Sequence, residues 1–197
     1  MLGILMSFVL LAAGPSSLVP GDNDAYAQQV AKAEAEDPAT DFKALRLAWM
    51  DSAAKKRADT FSLQEQLAKA AQKRDLDRIA ELARGILAKE YVNLRAHSLL
   101  LQVCQARKDE ACVKHETFVL TGLLTSITGS GDGKSAKTAY LVISIEEEYF
   151  LMDARGLRST GQALIFQDQK PYDVLSTGDG QNVWFDIGLF FGKEFGL

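Results

Sequence analysis

The residues able to do chemistry fall into three groups. The first is the run Gly129-Ser130-Gly131-Asp132-Gly133-Lys134-Ser135, whose Gly-Lys-Ser ending has the look of a phosphate-binding loop. Such a loop carries another glycine five positions before the final Gly-Lys, and Thr128 stands there instead. It also follows a strand and opens a helix, whose positive N-terminus helps to hold phosphate. Here the glycines close a predicted helix at its negative end, and Asp132 adds a carboxylate. The expected role is a helix C-cap at Gly129 followed by a tight turn, not nucleotide binding.

The second group is acidic. Asp132 together with Glu146, Glu147 or Glu148 could hold a cation or do acid/base work if the side chains converged. Ser144-Ile145-Glu146-Glu147 also fits a capping box at the start of a helix, which accounts for Glu147 without chemistry. His97 completes the set of catalytic candidates, Asp132, Glu147, Glu148 and His97. Both His97 and His115 lie on predicted helices, and the chain has no Gly-x-Ser-x-Gly. Each is expected to be a hydrogen-bonded structural histidine, with Lys114-His115-Glu116 a solvated face.

The third group is the two cysteines, Cys104 and Cys112. Neither has a spacing that suggests zinc, so no metal is expected. Cys104 falls near the end of one predicted helix and Cys112 near the start of its antiparallel partner, so they could face each other across the turn at residues 106–109. A bridge there would contribute roughly 2.5 kcal/mol by the chain-entropy estimate. The alternative is two unpaired core cysteines.

These residues need elements to position them. Residues 26–58 are rich in Ala, Lys and Glu and are broken once by Asp37-Pro38, which predicts two helices with Thr40 or Asp41 capping the second. In residues 62–124, Arg74-Asp75-Leu76 and Lys108-Asp109-Glu110 are turn-like points 34 positions apart. The pairs Leu67/Leu101, Ala70/Cys104 and Ile79/Val113 match at the same offset. That is the tetratricopeptide period, without the usual Trp and Tyr positions, and it predicts two helical hairpins. Two units are fewer than such arrays need to stand alone, so neighbouring elements must cap them.

After Thr128 the character becomes β-branched and aromatic. Strands are predicted at residues 139–144, 157–167, 171–177 and 181–187, with a short helix at residues 145–154. The last three strands should form an antiparallel meander. Val183, Phe185 and Ile187 alternate with Trp184 and Asp186, as on a sheet with one face on a core. The aromatic tail from Phe190 to Phe195 is expected to pack back.

The composition sets outer limits. At 197 residues, 47% hydrophobic and 24% charged, the chain can bury a real core. A net charge of −4 with no basic block gives nucleic-acid binding little to work with. Residues 2–13 form an apolar run too short to span a bilayer but of the right length for an export signal. No Lys or Arg precedes it, and Ala25-Tyr26-Ala27, the best small-residue cleavage site, lies far downstream.

One set of residues carries a resemblance: Asp41-Phe42 with Leu45-Arg46, Ala96-His97, Ser130-Gly131-Asp132-Gly133 with Ser135, Val142-Ile143-Ser144 leading to Glu147-Glu148-Tyr149, Gln162, and Tyr172-Asp173. In these the chain resembles a bacterial family catalogued as domain of unknown function 4919, over about residues 26–195. The resemblance implies no activity. It marks Ser130, Asp132, Ser135 and Gln162 as binding candidates, because packing does not obviously require them.

The expected fold is α+β, with tetratricopeptide-like helical hairpins followed by a small antiparallel sheet with one helix. Residues 1–27 are expected to be a leader, residues 28–128 the helical region, and residues 129–197 an α+β region packed on it. The leading functional expectation is a non-enzymatic periplasmic or secreted module for a protein or peptide partner, with no cofactor and no membrane span in the mature chain. One competitor is an extracytoplasmic hydrolase with its site at the loop of residues 130–135. Another is a structural accessory domain.

Overall fold

Two helix-to-helix turns in the middle of the chain are built identically. Arg74 and Lys108 both sit in the left-handed region, at φ 54° and 56°, and end their helices. Asp75 and Asp109 follow and cap the next helix by accepting from the backbone N–H of Arg78 and of Cys112. These turns close the hairpins α4 (Phe61–Lys73) with α5 (Leu76–Leu87) and α6 (Leu94–Arg107) with α7 (Glu110–Thr128).

The computed structural model describes residues 25–192. The N-terminal helices are α1 (Ala25–Glu34), α2 (Phe42–Asp51) and the short α3 (Ala53–Arg57). Asp41, not Thr40, caps α2, accepting from Ala44 N–H at 2.9 Å. The third helix is an addition to the two expected. After α7 come β1 (Tyr140–Leu141), α8 (Ile145–Ala154), β2 (Ser159–Gln167), β3 (Lys170–Thr177) and β4 (Asn182–Asp186). The architecture is α+β, with the helices first.

The sheet has the order β1-β4-β3-β2, with β2, β3 and β4 an antiparallel meander as expected. Its first strand differs from expectation: β1 is only two residues long and pairs parallel with β4. Val142 and Ile143 turn inward to the core instead of extending it, and Ser144 is taken up as the cap of α8.

The packing divides into two cores, and the division does not follow chain order. One gathers Leu45 and Trp49 of α2, Leu123 and Ile127 of α7, Leu151 of α8, and Leu175 and Phe185 of the sheet. The other lies inside α4, α5 and α6, around Leu67, Ile86 and Leu100. Helix α7 therefore packs on α6 and also carries the sheet. Cys104 and Cys112 are joined across the α6–α7 turn, with Cα atoms 5.7 Å apart.

The expected leader lies largely outside the described residues, as does the tail from Lys193 onward. Ala25-Tyr26-Ala27 falls within α1. Tyr26 is buried there against Trp49, with ring centroids 5.1 Å apart, and its hydroxyl accepts from Tyr91 N–H. A chain cut after Ala27 would lose this core contact.

Candidate functional site

Among α2, α4, the α5–α6 connection and α8 lies a cleft of about 320 Å3. Its floor is set by the connection from α5 to α6. Asn93 caps α6 by accepting from Ala96 N–H at 2.9 Å, and this aims its amide nitrogen at Glu146 Oε2, 3.3 Å away. Glu90 accepts from Thr60 Oγ1 at 3.1 Å and Gln64 Nε2 at 3.4 Å. Thr60 stands at the N-cap position of α4 yet makes no side-chain cap bond, because its hydroxyl is turned to Glu90. A local rule broken in favour of a cleft residue is a feature common at functional sites.

The electrostatics of the cleft are tense. Burial holds the Glu90 carboxyl above its ordinary range, and the negative charge of Glu146 adds to the shift; the hydrogen bond from Thr60 opposes it. Lys55 and Arg95 stand at the walls, and Trp49, Ile143 and Phe150 supply apolar surface. An apolar cleft with a few convergent polar groups and a perturbed carboxyl is the usual form of a ligand site.

The catalytic candidates read from the sequence do not come together. Glu147 is clamped by Arg46 through Nε at 2.7 Å and Nη2 at 2.6 Å, and both side chains are buried. Its Oε2 also accepts from Ile143 N–H. The capping box is therefore half formed: Ser144 accepts from Glu147 N–H, but the Glu147 carboxylate is spent on Arg46. Glu148 is fully buried. His97 lies between Glu116, at 2.7 Å, and the carbonyl of Tyr91, also at 2.7 Å. Glu116 is buried, which corrects the expectation of a solvated face at Lys114-His115-Glu116. Asp132 is apart from all of these, on an exposed loop, where hydrogen bonds from Thr138 and Lys134 hold its carboxyl low.

The binding candidates have internal partners. Ser130 Oγ donates to the carbonyl of Ile127 and accepts from Leu141 N–H. Ser135 Oγ and Thr138 Oγ1 are 3.0 Å apart. Gln162 donates to Asp173 Oδ2 and accepts from Tyr149. The glycines of the loop are there for space: a Cβ on Gly131 would lie 2.2 Å from the Thr138 carbonyl oxygen, and one on Gly133, at φ +70°, would meet the Tyr140 ring at 2.3 Å. The carbonyl of Gly133 then accepts from Trp184 N–H, tying the loop to β4.

Glu90, Thr60, Gln64 and Asn93 were not marked by sequence reasoning. Asn93 had a visible signal, an N-cap residue just before the apolar Leu94; Glu90 had none. Among the described residues no group of three His, Cys, Asp or Glu side chains could hold a metal ion, and no helix is long and apolar enough to cross a membrane.

No curated protein and no solved structure matches the chain significantly. A family model does match it, over residues 50–192, a span holding α4 to α8, the whole sheet and most of the cleft wall. On that match the chain belongs to the family described as Domain of unknown function (DUF4919).

Proposed function

We propose that the protein is a non-enzymatic binding module, exported to the periplasm or secreted, whose cleft takes a basic side chain of a peptide or partner protein. The observation that carries this reading is the convergence of Glu90 and Glu146 on one cleft that also offers apolar wall. A guanidinium or ammonium placed between the two carboxylates would relieve their mutual repulsion and the burial cost of Glu90. Trp49 and Phe150 suit the aliphatic stem of such a side chain or an apolar neighbour.

Further support comes from the surroundings. The hairpins share one turn geometry at the tetratricopeptide interval, and arrays of that kind commonly bind peptides. Export is supported by the apolar run of residues 2–13 and by the Cys104–Cys112 bridge, which suits an oxidising compartment. Against a hydrolase at the loop of residues 130–135 stands the engagement of its candidates elsewhere: Ser130 is bonded to Ile127 and Leu141, and His97 is held by Glu116 and Tyr91.

A peptide-display selection on the full chain tests the reading. Selected peptides should carry Arg or Lys next to an apolar residue and should bind the Glu90→Gln, Glu146→Gln double variant at least roughly tenfold more weakly, about 1.4 kcal/mol. Peptides without basic residues, or with equal affinity for the double variant, would refute it.

A further inference from the structure

The sheet ends at β2, and this edge is unusual. Nine residues long, Ser159–Gln167 contains no charged residue and no proline. Natural edge strands are commonly blunted by Lys, Pro or bulges because their unpaired backbone groups recruit other strands. Here the one irregularity, between Ser159 and Gly161, sits at the beginning and leaves Gln162 to Gln167 in regular register with β3.

Which backbone groups face outward follows from the pairing. The turn residues Asp168 and Gln169 are flanked by the pair Gln167–Lys170, and Phe166 lies opposite Pro171. Pro171 has no N–H, and its carbonyl accepts from Ile187 N–H, away from β2. Hydrogen-bonded and non-bonded pairs alternate in an antiparallel ladder, so Phe166, Leu164 and Gln162 present their N–H and C=O groups to the open edge. The same three side chains lie on the sheet face that carries Leu175 and Phe185 into the core. Among the described residues the cover runs out at β2: Phe191 reaches Phe166, yet Leu164 remains 50% and Phe166 58% exposed.

We propose that this edge is a homodimer interface, in which β2 pairs antiparallel with β2 of a second copy about a two-fold axis at Ala163. The two four-stranded sheets become one. Charge complementarity selects a second copy as the occupant. The neutral strand is bracketed by Arg158 before it and Asp168 after it, both exposed. Pairing centred on Ala163 keeps the regular middle of the strand in register and brings the strand ends together, Arg158 of each copy near Asp168 of the other, twice over. It also sets Leu164 opposite Gln162 of the other copy and puts the two Leu164 side chains diagonally in contact across the axis, on the face already apolar. This inference is independent of the cleft, which lies at α4 and α8.

Sedimentation equilibrium of the full chain across the micromolar range, read with amide hydrogen exchange, tests it. The expected result is a monomer–dimer equilibrium in which the amides of Gln162, Leu164 and Phe166 become protected as concentration rises. Leu164→Lys should leave a folded monomer. Arg158→Glu should weaken the dimer roughly tenfold by creating two like-charge contacts, and adding Asp168→Lys should restore it. A monomer throughout, with those amides exchanging freely, would overturn the proposal. So would a dimer that survives Leu164→Lys, since its interface would lie elsewhere.

Discussion

Two kinds of acidic side chain stand out in this protein, those used up inside the fold and those left facing the cleft. Glu147 belongs to the first kind. With Arg46 it ties α2 to α8, while Arg46 reaches the carbonyl of Leu141 and Ser126 Oγ as well. Removing one partner strands the other charge in the core, so Glu147→Gln or Arg46→Met should each cost about 3–5 kcal/mol in urea unfolding. The double substitution Arg46→Met, Glu147→Met should cost less than the sum. Glu90 behaves in the opposite way. Its folded pKa is raised above the ordinary 4.5, so the stability linked to its protonation is present below that pH and lost as pH rises through the folded value. At neutral pH the ionised carboxylate is a burden on the fold. Glu90→Gln should therefore raise the melting temperature at pH 7, with an advantage that fades below about pH 4.5 in melts taken across pH. The sequence could not separate these cases. Glu147 satisfied a capping motif, and only the arrival of Arg46, far away in the chain, shows where its carboxylate goes.

At the scale of elements much was legible, because local rules decide it. The Asp caps and the left-handed Arg74 and Lys108 repeat a pattern visible as a periodicity, and helix α8 begins and ends where Ser144 and the acidic turn said it should. The meander was readable from alternation in β4 and from the turn signals between strands. Where tertiary contacts override local preference the reading failed: β1 shrank because Val142 and Ile143 are needed in the core, and Glu116 was drawn inward by His97. The loop at residues 130–135 is the clearest case. Its glycines mimic a phosphate site in sequence but serve close backbone approach to Thr138 and Tyr140. Gly133→Ala should thus destabilise the protein by about 1–3 kcal/mol, through a strained φ and a clash. Asp132→Ala, on the exposed side of the same loop, should change stability by no more than about 0.5 kcal/mol. Thermal unfolding of the two variants side by side checks the order; the reverse order would return the loop to the list of sites.

In the whole molecule, the core that holds the sheet also takes in residues of α1, α2 and α7, and α7 packs on α6 as well. The cleft is a consequence of that arrangement. It opens where α4, anchored in one core, meets the α5–α6 connection, α2 and α8, which share the other, and neither half alone would form it. That is why no motif announced it: Thr60, Glu90 with Asn93, and Glu146 come from three separate segments. The direct test is a chemical-shift titration of the full chain with acetyl-Leu-Arg-amide. Shifts confined to the amides around Glu90, Asn93, Ile145 and Glu146, and abolished by Glu90→Gln with Glu146→Gln, are the predicted result. Shifts centred elsewhere, or unchanged in the double variant, would contradict a cation-binding cleft.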